Sequence, residues 1–480
     1  MILHVNTVQK GSAARARDFV EALMELVEGG QVDAALLPSL RVQLDWIQYR
    51  TNFREPIVLR RAIDMDGSPL GLAEIAVDLR QSDRGWRALL PASLGTLGIA
   101  GDDPERRYLE GFTPLRAGLL WSFNRLFWQR LDDWEAATGR HFEQALPAGQ
   151  SDANHAEAIA DSVAEFWTML ADMDKRGHLP AEIFALEIGV GSGVRAARWL
   201  DRFRALDDER STRFYPRLRF LLGDYSIPTL DRAMAAVAGH RDIVSVMAMD
   251  ALNPFKTLSF LRYKLLYVHL TNVYDNLPAD ELVRRDGRLW LVEARAYLPR
   301  AETARIAAAH DVPADDVVRT VEKLVEIGPD VLRDRARGIA LWRDVWAALR
   351  LEERLVRLDD VAQAPLPPGL DRHHLDDLLE TAPQDVRFHL SRGAAESFGN
   401  TLPLLHPRGY LQVQDIFVTS MDEYRQGFRG PGKLDGSVVN WVNGALLRAV
   451  AARAGYDVHF TPFRYRTGSR TSILYTTQRD

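Results

Sequence analysis

The central part of the chain alternates between short apolar runs and amphipathic helical stretches. The first such helix begins near residue 156 and carries Ile159, Val163, Phe166 and Leu170 on one stripe. Strands are predicted at 183–188, 219–222, 243–247, 264–270, 410–418, 458–463 and 472–477, and helices at 194–206, 227–237, 391–405 and 438–454. Such alternation is typical of an α/β fold, in which a mostly parallel sheet is covered by helices on both faces.

Two segments depart from this alternation. Residues 1–150 combine helical periodicity with many aromatic residues, and we predict a mostly helical accessory or lid domain there. Residues 301–384 are charged and helix-forming, with a helix expected over 331–358, and we predict a helical insertion before the fifth strand. A cofactor-binding domain is then expected to consist of 151–300 and 385–480.

Composition excludes several classes of protein. The 480 residues are 46% hydrophobic and 26% charged, which is typical of a folded globular protein. The net charge of −6 and the lack of a long basic run argue against a nucleic-acid partner. There is no cysteine, so disulfides and thiolate chemistry are excluded. No apolar run reaches the roughly 20 residues of a membrane span, and no signal peptide is recognised, so a cytoplasmic protein is expected.

A glycine-rich turn links the first predicted strand of the central region to the following helix. The turn reads LEIGVGSG, and its glycines are Gly189, Gly191 and Gly193. Glycines let the backbone approach a ligand closely, and a helix N-terminus beside a strand end is a common cofactor site. A dinucleotide fingerprint requires glycine or alanine where Val194 stands, and Glu187 would repel a pyrophosphate. The turn therefore favours S-adenosylmethionine, whose amino group and sulfur are cationic.

Polar residues follow the next three predicted strands in order. The residues in question are Asp224 with Tyr225, Asp250 with Ala251, and Thr271 with Asn272. The Asp224 carboxylate can accept both ribose hydroxyl protons, and Asp250 can accept from an adenine amino group. Because parallel strands end along one edge of a sheet, we predict that these residues form one S-adenosylmethionine site with Glu187 and the three glycines.

This layout resembles the class I S-adenosylmethionine-dependent methyltransferases over about 156–298 and 385–478. The resemblance implies a Rossmann-like, seven-stranded sheet that ends in an antiparallel hairpin. The segments 272–278 and 430–439 also resemble, more distantly, the MidA family, which includes a mitochondrial complex I assembly factor that methylates protein arginine. The glutamate that this family has after the asparagine is Val273 here. We therefore carry over the fold and the cofactor, and not arginine as the acceptor.

Methyl transfer from a sulfonium is an in-line displacement of an already activated group, so no metal is predicted. Asp275 follows the fourth strand, next to the expected methyl group, and is the first candidate for binding or deprotonating the acceptor. Asn272 is predicted to orient the acceptor or the cofactor. Glu293 and His269 are secondary candidates.

The predicted function is methyl transfer to a protein side chain or a bulky small molecule. An alternative is a catalytically silent cofactor-binding or assembly protein on the same fold, because the substrate loop departs from the family pattern. A nicotinamide oxidoreductase is disfavoured by Val194 and Glu187. The acceptor stays open, and a homodimer is one option for the oligomeric state.

Overall fold

The fold comprises two large sheets and their covering helices. The computed structural model describes residues 2–5, 12–45, 49, 51–78, 86–95, 101–426 and 430–479. The α-helices in these residues are α1 (Ser12–Glu28), α2 (Trp86–Gly95), α3 (Leu119–Gln129), α4 (Leu131–Thr138), α5 (Ala156–Lys175), α6 (Val194–Glu209), α7 (Ile227–Ala236), α8 (Pro254–Leu258), α9 (Arg300–His310), α10 (Val317–Ile327), α11 (Arg335–Ala348), α12 (Arg372–Glu380), α13 (Arg392–Thr401) and α14 (Gly444–Arg453).

The strands alternate with these helices mainly after residue 180. They are β1 (Ile2–Val5), β2 (Leu40–Asp45), β3 (Ile57–Ile63), β4 (Pro69–Asp78), β5 (Arg106–Tyr108), β6 (Thr113–Pro114), β7 (Ile183–Ile188), β8 (Leu218–Asp224), β9 (Val244–Ala248), β10 (Leu265–Thr271), β11 (Asp280–Arg285), β12 (Arg288–Pro299), β13 (Arg350–Leu358), β14 (Val386–Leu390), β15 (Leu405–Asp415), β16 (Phe417–Val418), β17 (Gly432–Leu434), β18 (Ser437–Val439), β19 (Val442–Asn443), β20 (Tyr456–Pro462) and β21 (Ser472–Gln478).

Seven of the described strands form a sheet in the order β20-β21-β15-β10-β7-β8-β9. The strands from β15 to β9 pair in parallel, and β21 is antiparallel to both β15 and β20. Phe166 on α5 and Trp199 on α6 pack in the core on one face, while Phe398 on α13 and Leu447 on α14 pack in the core on the other. The predicted α/β sheet with helices on both faces is confirmed.

The second sheet is mixed and contains ten of the described strands. Its main order is β1-β2-β4-β3-β13-β12-β11-β14, and β5 and β6 also pair with β12. The sheet curls, since the Arg41 guanidinium on β2 lies 2.7 Å from the carboxylate of Asp385, which directly precedes β14 near the other end of the strand order. Segments from three parts of the chain therefore build one curled layer beside the parallel sheet.

The prediction of a mostly helical segment over 1–150 misses its strands, because this segment supplies β1 to β6 of the curled sheet as well as α1 to α4. The overlooked signal is a two-residue period, as in Leu40, Val42 and Leu44 of β2, which are all buried. The domain boundaries stay predictions.

The segment 301–384, predicted as a helical insertion, contains α10, α11 and α12 but also a strand. The helix expected over 331–358 divides into α11 and β13, and β13 lies between β3 and β12 inside the curled sheet. The β13 sequence, RLEERLVRL, is rich in residues that favour helices when they are isolated. In the structure β13 pairs with β12 at nine positions. The backbone hydrogen bonds and cross-strand side-chain contacts of this pairing outweigh the local preference for helix.

One face of the curled sheet buries a network of charged side chains. Glu353 on β13 accepts hydrogen bonds from Arg54, Arg60 and Arg387, and Arg60 also pairs with Glu74 on β4. Burial alone would raise the pKa of Glu353, but the three guanidinium groups hold it well below its usual range. The network ties strands from the first 80 residues to strands after residue 350, so these segments pack as one unit.

We expect Glu74 to make the fold sensitive to acid. Burial opposes its ionisation, but Arg60 and Arg285 lower its pKa from 4.5 to about 2. Because the folded-state pKa lies below the unfolded one, the stabilisation is present above about pH 4.5 and is lost as the pH falls toward about 2. In urea unfolding, the Glu74→Gln variant should therefore have a lower free energy of unfolding than the original protein at neutral pH. Its free energy of unfolding should also decrease less as the pH falls.

The exposed Glu380→Gln variant is the control for the loss of one carboxylate. A Glu74→Gln variant whose stability declines in acid as steeply as that of the original protein would contradict this assignment.

None of the helices in the described part of the chain combines the length and apolar character needed to cross a bilayer.

Candidate functional site

The glycine-rich turn lies between β7 and α6, at the carboxyl edge of the parallel strands. Its three glycines have φ between 55° and 74°, in the left-handed region that favours glycine. A Cβ atom at Gly189 would lie 2.5 Å from Val273 Cγ2, and one at Gly193 would lie 2.6 Å from the Ala233 Cα. At Gly191, no atom of the described residues lies within 4 Å of that position. Two glycines therefore permit close packing, and Gly191 faces open space.

Asp224 ends β8 directly beside this turn. Its carboxylate accepts a hydrogen bond of 3.0 Å from the Ser226 backbone N–H. Burial raises the pKa of Asp224, while the backbone N–H groups of Ser226, Tyr225 and Gly191 act in the opposite direction. The Gly189 N–H also donates to the Gly223 carbonyl at 2.8 Å, so the turn and the end of β8 meet, as the strand order predicts.

Tyr225 and Asp250 extend the site toward β9. After burial, the negative charges of Asp224 and Asp250 are the main influences that raise the pKa of Tyr225, so the three side chains are neighbours. Tyr225 is 37% exposed. Asp250 is exposed, and its carboxylate accepts a 2.9 Å hydrogen bond from Leu252 N–H that closes a turn around the half-buried Ala251.

Glu187 has a partner that the sequence analysis did not identify. Its carboxylate accepts a 2.8 Å hydrogen bond from Arg195 on α6, whose guanidinium also donates to the Tyr267 hydroxyl. Burial raises the pKa of Glu187, and Arg195 acts against that rise. A protein cation thus already neutralises the carboxylate predicted to attract a cationic cofactor. The cofactor role of Glu187 stays a prediction.

The end of β10 is held by a contact within the strand and by a hydrogen bond to β15. Thr271 Oγ1 lies 2.7 Å from His269 Nε2, and the Asn272 N–H donates to the Gln414 carbonyl on β15 at 3.0 Å. Asn272 has φ of 51°, so the chain turns sharply there. Burial, together with Arg195, keeps the pKa of His269 well below its usual range, so this imidazole is neutral.

The other secondary candidate, Glu293, lies away from this edge. It belongs to β12 of the curled sheet, and its carboxylate lies 2.6 Å from the Arg354 guanidinium. The fold therefore does not bring Glu293 to the glycine turn.

Asp275 lies in a single helical turn, Tyr274–Asn276, and is almost completely buried. Its carboxylate accepts a 2.7 Å hydrogen bond from the Asn276 side-chain amide. Close by is Asp415 at the end of β15, which is 0% exposed. Burial and the charge of Asp415 raise the pKa of Asp275 well above its usual range. The two carboxylates form an acidic pair on the β10–β15 side of the glycine turn.

Asp415 is a site residue that was not predicted from the sequence. Like the first four strands, the fifth carries a polar residue at its carboxyl end. The predicted strand ran to residue 418, past Asp415, whereas β15 ends at Asp415. A strand end set three residues earlier would have marked this carboxylate.

Helix α3 lies against the same loops. Asn124 donates to the Asn276 backbone carbonyl at 2.8 Å, and the Trp128 indole donates to the Asn276 side chain at 3.1 Å. Farther along, Glu143 accepts a 3.1 Å hydrogen bond from Ser192 in the glycine turn. The Tyr225 hydroxyl also donates to a backbone carbonyl of α3. The segment 119–145 therefore contacts three of the loops that end the parallel strands.

We expect Trp128→Phe to loosen the loop over 272–278, because Asn276 loses a hydrogen-bond donor from α3. The free energy of unfolding should fall by about 1 kcal/mol. Hydrogen exchange of the loop amides should also become faster. Trp167→Phe is the matched control, since Trp167 lies on α5 and its indole donates to the Thr212 hydroxyl at 3.2 Å, away from this loop. If both variants change loop exchange equally, the contact with α3 does not hold the loop.

Comparisons with known proteins give only distant similarities. No protein-family model matches the sequence, and a search of curated proteins finds no significant match. Among solved structures, a Burkholderia thailandensis protein bound to S-adenosyl-homocysteine is 12% identical with a TM-score of 0.45, over 82% of this chain and 91% of that one. The CcbJ methyltransferase from Streptomyces caelestis is also 12% identical, with a TM-score of 0.30, over 69% of this chain and 92% of that one.

Proposed function

We propose that this protein binds S-adenosylmethionine and transfers its methyl group to a protein side chain or a bulky small molecule. The observation that carries the proposal is the convergence of four loops at one sheet edge. The glycine turn, Asp224, Asp250 and Asn272 follow β7, β8, β9 and β10, which are adjacent in the sheet. The sheet order and the antiparallel pairing of β21 support the seven-stranded sheet that the resemblance implies.

The residues at this edge suit the parts of such a cofactor. Asp224 would accept from the ribose hydroxyls, and the exposed Asp250 would accept from the adenine amino group. The open space beside Gly191 leaves room for a ligand to contact the backbone. When bound, the sulfonium supplies an activated methyl group.

The acceptor would lie on the other side of the glycine turn. In the sheet, β10 and β15 lie on the opposite side of β7 from β8 and β9. Asp275 and Asn272 belong to the loop after β10 and are therefore on the acceptor side. The contacts of segment 119–145 with these loops would help to exclude bulk water, which methyl transfer requires.

Calorimetry with S-adenosylmethionine, S-adenosyl-homocysteine and NAD tests the cofactor assignment. We expect binding of the first two ligands and none of NAD. Binding of NAD without S-adenosyl-homocysteine would overturn the proposal. Methyl transfer from labelled S-adenosylmethionine to acceptor candidates then separates an enzyme from a silent cofactor-binding protein.

A further inference from the structure

Asp415 is held by the backbone of the loop that carries Asp275. One oxygen of its carboxylate accepts hydrogen bonds from the backbone N–H groups of Tyr274 at 2.9 Å and Asp275 at 3.2 Å. The other oxygen accepts a 2.7 Å bond from the Ile416 N–H. A carboxylate on β15 therefore fixes the geometry of the turn after β10.

The acidic pair has no cationic partner among the described residues: neither Asp275 nor Asp415 forms an ion pair there with lysine, arginine or histidine. The Tyr274 side chain, which is next to Asp415, is uncharged. Titratable side chains on the surrounding elements have other partners: Arg392 on α13 pairs with Glu396, Lys433 on β17 donates to the carbonyls of Trp346 and Leu349, and His389 on β14 lies beside Tyr424.

Ionising both of two buried carboxyl groups without a cation has a high free-energy cost, because each charge is desolvated and repels the other. Burial raises the pKa of Asp415 to about 7, although the surrounding backbone N–H groups act to lower it. Groups that interact this strongly titrate as a pair rather than individually. Protonation of one carboxyl group therefore removes the repulsion on the other.

We propose that Asp415 is a positioning residue for methyl transfer, which fixes the 272–278 loop and shares one proton with Asp275. This inference rests on the proposed function and deepens it by naming the class of acceptor. The acceptor would be an uncharged group with a hydroxyl or N–H hydrogen. As its oxygen or nitrogen gains the methyl group from sulfur, its bond to hydrogen breaks and the proton passes to Asp275, while the shared proton resides on Asp415, so that the pair then holds two protons. The sulfonium becomes a neutral thioether.

An infrared titration of protein labelled with carbon-13 at the aspartate carboxyl groups tests the shared proton without an acceptor. In the full-length protein, a protonated aspartate band should persist at pH 7. Asp415→Asn and Asp275→Asn each remove one charge, so the midpoint of the remaining group should fall by about one pH unit or more. An unchanged midpoint in either variant, or no protonated band at pH 7, would overturn the proposal.

Amide hydrogen exchange tests the positioning role. Asp415→Asn should speed exchange at Tyr274 and Asp275 about tenfold, because those amides lose a charged acceptor. Asp207→Asn is the matched control, since its buried carboxylate accepts from the Phe214 and Tyr215 amides at 3.1 Å. That variant should change exchange at its own amides alone. Unchanged exchange at Tyr274 in Asp415→Asn would refute the positioning role.

Failure of the shared-proton proposal can be distinguished from failure of the proposed cofactor binding. S-adenosyl-homocysteine binding, measured by calorimetry on the same samples, reports on the proposed function. If that binding fails while the infrared midpoints shift, the proposed function falls and the shared proton stands. If binding holds and the midpoints do not shift, the shared proton is refuted alone.

Discussion

Asp275→Asn is expected to lower the rate of methyl transfer by about 100- to 10,000-fold, the usual range for loss of a general base. Asparagine keeps the shape and can still accept from the Asn276 amide, but it cannot take up a proton. The affinity for S-adenosyl-homocysteine should change little, because Asp275 lies on the β10–β15 side of the glycine turn. The measurement is single-turnover transfer of labelled methyl groups to an acceptor that the original protein methylates.

The exposed Asp208→Asn variant on α6 is the control for the loss of one negative charge. It should keep the original rate. If Asp275→Asn loses cofactor binding as strongly as Asp224→Ala does, the loop after β10 belongs to the cofactor site and not to the acceptor site.

Asp224→Ala is expected to weaken binding of S-adenosyl-homocysteine by about 10- to 100-fold, because the ribose hydroxyls lose a charged acceptor worth about 1.5 to 3 kcal/mol. The fold should survive the change. Burial raises the pKa of Asp224, so its ionised form is disfavoured in the ligand-free protein. Removing it should therefore leave the melting temperature of the ligand-free protein unchanged or higher. Calorimetry and thermal unfolding together check both expectations.

Asp231→Ala is the matched control, because Asp231 is exposed on the adjacent helix α7. It should bind S-adenosyl-homocysteine like the original protein. Equal affinity in Asp224→Ala would show that this carboxylate does not contact the ribose.

The parallel sheet was predictable because its strands carry strong local signals. Apolar runs such as 183–188 lie between amphipathic helices, and β7 occupies the predicted residues. The location of the proposed cofactor residues was predictable for the same reason, since each follows a recognisable strand. Topology then brings Gly191, Asp224 and Asp250 together without further information.

The curled sheet was not predictable in this way. Its strands come from separated parts of the chain, and β13 is central although it lies far from β3 in sequence. Its buried face carries charged residues such as Arg60 and Glu353, which a hydrophobic pattern assigns to the surface. Ion pairing between these side chains offsets the desolvation cost of burying them. The partners are far apart in sequence, so a pattern of single positions does not identify them.

The amino-acid sequence by itself determined the α/β layer, the glycine turn and the acidic strand ends, because these depend on periodicity and on residues a few positions apart. The tertiary structure decided which polar groups meet: Glu187 with Arg195, Asn276 with Trp128, and Asp275 with Asp415. Those contacts depend on long-range packing and on burial in a low dielectric, which set both the partner and the protonation of each carboxylate.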